Sequence, residues 1–103
     1  TLTVLDVDTG MCADDVETAA RALMDQAGQP EWLVLTDVFG ATPSYGAQRL
    51  AGEQVQVLSG VSVPMLWHTL CYAGQKPLAD LARRAMQGAV SGIVATPPLP
   101  PDE

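Results

Sequence analysis

Three short segments of the chain combine carboxylates, hydroxyls and small residues in an order that suits anion chemistry. They are Asp6-Val7-Asp8-Thr9-Gly10, Thr36-Asp37-Val38-Phe39-Gly40-Ala41-Thr42-Pro43 and Ser59-Gly60-Val61-Ser62-Val63-Pro64. The middle segment is the most informative. Asp37 ends an apolar run, and Gly40, Ala41 and Thr42 then lead to Pro43, which suits the first position of a helix with Thr42 as its N-cap. Free amide N–H groups and the positive end of a helix dipole favour an anion there, phosphate above all. Thr42 adds a hydroxyl. Asp37 can orient a histidine or accept a proton from one. An ordinary loop, with Asp37 as a turn residue and Thr42 as a plain cap, has the same residue order, and the residue types leave both readings open.

Other residues offer less. Phe39, beside a glycine in the same loop, is either an exposed partner contact or a side chain folded back onto the core. Pro64 and Met65 open a helix at the same edge and are either an exposed docking rim or plain packing. His68 is the single histidine, mid-helix, with no acidic residue at helical spacing, so a structural or solvent-facing role is expected. Cys12 and Cys71 are far apart, with no CxxC spacing; they read as reduced, mostly buried thiols of a cytoplasmic protein. No metal site and no cofactor are expected.

These segments need elements to hold them. Leu2–Val7 alternates like a strand and ends in the Asp8-Thr9-Gly10 turn signal. Ala13–Ala27 has helical periodicity, with Val16, Ala19, Ala20, Leu23, Met24 and Ala27 on one face; Asp14 and Glu17 have capping-box spacing, and Gly28-Gln29-Pro30 stops the helix. Trp32–Leu35 is a near-continuous apolar run, the pattern of a strand covered on both faces. A short helix follows from Pro43 to about Leu50, a strand over 54–58, and a helix from Val63 or Pro64 to Tyr72. Leu78–Val90 is a further amphipathic helix with Leu78, Leu81, Ala82, Ala85 and Ala89 inward, and 92–95 suits a short edge strand. Alternating strands and helices predict an α/β fold with a parallel, doubly wound sheet over residues 1–95. The proline-rich tail 96–103 fits neither helix nor sheet centre. In such sheets ligands bind beyond the carboxyl ends of the strands, where all three segments fall.

Composition narrows the function. The 103 residues are 48% hydrophobic and 17% charged, a globular balance. The net charge of −7 argues against nucleic acid and anionic membranes as partners. No apolar run approaches the roughly 20 residues of a membrane span.

Val34-Leu35-Thr36-Asp37-Val38-Phe39-Gly40-Ala41-Thr42-Pro43-Ser44, followed by Val55-Gln56-Val57-Leu58-Ser59-Gly60-Val61-Ser62-Val63-Pro64-Met65-Leu66, resembles the mannose-family enzyme IIA domain of the bacterial phosphoenolpyruvate-dependent sugar phosphotransferase system. The likeness spans about residues 1–95 and includes the last helix; Ser62 replaces the family's usual Asn. The resemblance implies a phosphocarrier, often a homodimer. A histidine at the end of the family's first strand takes a phosphoryl group from HPr and passes it to an enzyme IIB partner. By position, Asp37 would orient that histidine. Gly40, Ala41 and Thr42, with Phe39 in the same loop, would line the phosphoryl site. Phe39, Pro64 and Met65 would form the docking rim.

The family's histidine precedes the segment matched by Leu2–Val7, and His68 falls in the helix after Pro64 and Met65, where it cannot substitute. The chain opens at Thr1 directly on a strand pattern. We therefore expect a piece of a longer chain that lacks roughly 25–30 N-terminal residues, about one strand–helix unit. The resemblance places the missing strand between Leu2–Val7 and Trp32–Leu35. Two other readings stand: a receiver-like domain with Asp37 as phosphoacceptor, and a non-catalytic binding or regulatory module on the same scaffold.

Overall fold

A computed structural model of the chain describes residues 2–38 and 41–102. The elements in order are α1 (Ala13–Ala27), β1 (Trp32–Thr36), α2 (Thr42–Gln48), β2 (Val55–Ser59), α3 (Val63–Tyr72) and α4 (Leu78–Ser91). They fall into two compact units, Thr1–Val61 and Ser62–Glu103. The architecture is α/β with a small parallel sheet.

In the first unit β1 and β2 pair in parallel, with Trp32 opposite Val55 and Thr36 opposite Ser59 as the last rung. Apolar and β-branched residues fit this ladder. α1 starts where the Cys12 N–H donates to the Asp15 carboxylate at 3.1 Å, so Asp15, not Glu17, closes the N-terminal turn. That bond holds the Asp15 carboxyl below its ordinary value of 3.8. Gly28 ends α1 in the left-handed region (φ 69°), its N–H donating to the Met24 carbonyl. α1 and α2 pack closely at Gly46, where a Cβ would lie 2.6 Å from the Val16 side chain. Arg49, just after α2, pairs with Asp14 and, at 3.8 Å, with Glu17 of α1. These exposed pairs are each worth at most about 1 kcal/mol. Val16, Ala47, Leu50 and Leu58 are the buried apolar residues of this unit.

Two expectations for this unit are corrected. Leu2–Val7 forms no strand; the segment has no ladder partner among the described residues, and Leu2 and Val4 are 58% and 71% exposed. Alternation alone does not make a strand, because pairing satisfies its backbone. β1 is not covered on both faces either: Trp32 to Leu35 are half-buried, since among the described residues of this unit α2 is the helix that packs on β1, and α1 packs on α2. The turn after this segment does form, with Met11 N–H donating to the Asp8 carbonyl at 3.0 Å.

The second unit is a pair of packed helices and a tail. The Ser62 hydroxyl caps α3 by accepting from the Met65 N–H at 3.3 Å. Leu81, Ala82, Ala85 and Gly88 form the buried face of α4. Glycine lets the helices meet, because a Cβ at Gly88 would collide with the His68 ring and one at Gly92 with the Pro64 ring. The expected strand over 92–95 is absent: α4 runs to Ser91, and the residues beyond it stay exposed without a strand partner. Among the described residues, no helix is long and apolar enough to cross a membrane.

Candidate functional site

A parallel pair puts both carboxyl ends at one edge, so the segments after β1 and β2 emerge side by side. Backbone hydrogen bonds join them. The Gly60 N–H donates to the Asp37 carbonyl, and the Val61 N–H to the Thr36 carbonyl at 2.9 Å. Gly60 has φ 88°, a conformation that costs an L side chain about 1–2 kcal/mol, so glycine suits this turn. Two motifs separated by over twenty residues thus become one loop cluster around Asp37.

Asp37 is exposed at the end of β1, and its carboxylate takes no hydrogen bond or ion pair among the described residues. An exposed, unspent carboxylate can accept an N–H from an incoming imidazole. Phe39 and Gly40 lie outside the described residues. Ala41, not Thr42, is the N-cap of α2, with extended backbone (φ −82°, ψ 162°) and no side-chain cap. The Ala41 N–H donates to the Val38 carbonyl at 3.2 Å, so it must exchange that partner to reach an anion. Thr42 is the first helical residue and exposed, and its hydroxyl makes no hydrogen bond among the described residues. With seven residues α2 makes only about two turns, and Pro43 brings no N–H. The anion site expected here therefore depends on side-chain hydroxyls and loop amides more than on a helix dipole.

Beneath this edge lies a polar cluster that residue typing did not single out. The fully buried Ser44 places its Oγ 3.0 Å from the Ser59 Oγ, and Gln48 Nε2 donates to Ser44 Oγ at 3.0 Å. The available signal was helical spacing: Ser44 and Gln48 are four apart and share a face with the buried Ala47.

The remaining expected residues sort differently. Met65 is 3% exposed, because its helix position turns it into the packed interior. This corrects its placement on a docking rim. Pro64 is half-buried and packs at Gly92. Pro64 also borders a groove of about 330 Å³ in the second unit, with Val63, Trp67 and Ser91. His68 is half-buried against Gly88, with its ring 6.4 Å from that of Tyr72, in line with a structural role. Both cysteines are exposed, against the expectation of burial; Cys12 sits at the start of α1 and Cys71 on the outer side of α3. Among the described residues, no group of three or more His, Cys, Asp or Glu could hold a metal ion.

The sequence matches the family model described as PTS system fructose IIA component over residues 3–86. Among solved structures, the chain is similar to the phosphotransferase system component EIIA from Streptococcus agalactiae, with a TM-score of 0.70 and 29% identity over 86% of this chain and 71% of that one. No curated protein matches it significantly.

Proposed function

The chain belongs to the family of PTS system fructose IIA components, and from that premise we propose that it is a phosphocarrier relaying a phosphoryl group from HPr to an enzyme IIB partner. The observation that carries this reading is the joined loop cluster, in which the Asp37 loop and the Gly60 turn share backbone hydrogen bonds at the carboxyl edge of β1 and β2. The histidine comes from a segment outside these 103 residues, and Asp37 accepts the N–H of its far ring nitrogen. That contact fixes the tautomer and leaves the other nitrogen as nucleophile. This nitrogen attacks the phosphorus of phospho-HPr; a new P–N bond forms, the donor's P–N bond breaks, and the donor imidazole keeps the electron pair. Thr42, with Gly40 and Ala41, receives the phosphoryl oxygens. Phe39 and Pro64 contribute to partner docking. Residues 1–95 form the carrier domain, 96–103 are a tail, and the protein works as a homodimer in the cytoplasm.

The test is phosphorylation of the natural full-length protein by phosphoenolpyruvate, enzyme I and HPr. The expected product is an acid-labile phosphohistidine. Asp37→Asn should slow its formation by roughly 100-fold or more, as loss of an orienting carboxylate does elsewhere, while far-UV circular dichroism is unchanged. A hydroxylamine-sensitive acyl phosphate on Asp37 would instead make this a receiver-like domain. No phosphoryl uptake would leave a binding module on a carrier's scaffold.

A further inference from the structure

The protons of Gln48, Ser44 and Ser59 set the direction of the hydrogen bonds among them. A side-chain amide nitrogen only donates, so Ser44 Oγ accepts from Gln48 Nε2. Ser44 has no exposed surface, so its own hydroxyl proton cannot be given to water, and leaving it unspent would carry a desolvation cost. Among the described residues, the acceptor in reach is Ser59 Oγ at 3.0 Å. Ser59 therefore accepts from Ser44, and its own proton is directed away from the buried pair. Ser59 is half-buried, forms the last rung of the ladder opposite Thr36, and precedes Gly60, whose N–H donates to the Asp37 carbonyl. Each bond in such a series polarises the next, which strengthens the terminal donor toward a charged acceptor.

We propose that the Ser59 hydroxyl is a further oxyanion ligand of this edge, donating to a phosphoryl oxygen, and that Ser44 and Gln48 are positioning residues that fix its direction. The proposal rests on the phosphocarrier reading and names a residue that this reading does not require. A Ser59 that donated inward would have no proton left for the anion, so direction is the point to test.

The probe is inorganic phosphate, titrated into the isotopically labelled natural full-length protein and followed by nuclear magnetic resonance. Phosphate should shift the Ser59 and Thr42 signals, and the buried Ser44 hydroxyl proton should be observable, exchanging slowly. Ser59→Ala should weaken phosphate binding about tenfold, the usual effect of losing one hydrogen bond to a charged group. Ser59→Thr keeps the hydroxyl and should bind within about twofold of the parent. Ser44→Ala should weaken binding several-fold with the far-UV spectrum unchanged. Equal phosphate affinity in the parent and Ser59→Ala would overturn the proposal while leaving the phosphocarrier reading standing. So would a natural protein that forms phosphohistidine yet binds no phosphate at Ser59. Absence of phosphohistidine in the natural protein removes the reading itself, and the proposal with it.

Discussion

Replacing Gly46 by alanine tests the closest approach in the first unit. The added Cβ would sit 2.6 Å from two Val16 carbons and 2.9 Å from the Ala13 carbonyl oxygen. Carbon pairs prefer about 3.5–4.0 Å, so α1 must retreat by about 1 Å or the contacts stay strained. Overpacking of this kind costs about 1–3 kcal/mol. The upper part of that range applies because one of the atoms is backbone and cannot rotate away. Alanine returns about 1 kcal/mol through its better helix propensity. The net loss is therefore about 1–2 kcal/mol, or about 4–8 °C in Tm for each kcal/mol in a chain of this size. Thermal melts by circular dichroism measure it, with Gly52→Ala as control, since a Cβ there meets nothing within 4 Å. A Gly46→Ala protein as stable as the parent would show that α1 and α2 separate without cost and that close approach does not select glycine at this position.

Gly88→Ala should destabilise the second unit by about 1–3 kcal/mol through its collision with the His68 ring. In a His68→Ala background the same change should become stabilising by several tenths of a kcal/mol, and a double-mutant cycle in urea reads this coupling. Gly60→Ala should cost about 1 kcal/mol, because φ 88° is unfavourable for an L residue while the added carbon meets nothing. Gly60→Asn should cost less, and if the two variants melt alike, conformation is not what selects glycine there. Asp15 has a lowered pKa, caused first by the hydrogen bond from the Cys12 backbone N–H, so it binds its proton less readily when folded. Its contribution to α1 is present above the ordinary value of 3.8 and is lost as pH falls through the depressed folded value. Helical signal and amide exchange at Cys12 followed from pH 6 to pH 2 should show this loss, and Asp15→Asn should remove that part of the pH dependence.

Some of this arrangement was legible in the sequence because local signals and burial agree there. The bounds of α1 follow from its apolar periodicity and from Gly28, whose left-handed backbone ends the helix. α3 starts at Val63 because Ser62 caps it and proline is tolerated in its first turn. Leu2–Val7 misled because its alternation speaks only of faces, whereas a strand exists through a neighbour that offers backbone partners. Thr42 misled because two adjacent residues compete to be the cap, and Ala41 takes the extended conformation without offering a side chain. Met65 stood beside an exposed motif, yet helical geometry, not proximity in sequence, decides which way a side chain turns. The serine pair was hidden because serine is ordinary on any surface; only the fold shows that Ser44 is buried and meets Ser59.

The placement of polar groups at this edge argues for division of labour between exposed and buried residues. Asp37 and Thr42 are exposed, and their side chains are unspent among the described residues. Ser44 and Gln48 spend theirs inward, Gln48 Nε2 donating to Ser44 Oγ and Ser44 Oγ meeting Ser59 Oγ. A group that would meet an incoming imidazole needs a free lone pair and one that would meet an anion needs a free proton, while the groups that hold them need fixed partners, because an unpaired buried hydroxyl is costly. The parallel ladder fixes where β1 and β2 end, the Gly60 and Val61 amides tie the two following loops together, and the serine pair anchors the start of α2 to the end of β2. A change in any one of these ties should move Asp37 relative to Thr42 while leaving both side chains intact. The ties should therefore affect the rate of phosphoryl transfer more than the stability of the fold.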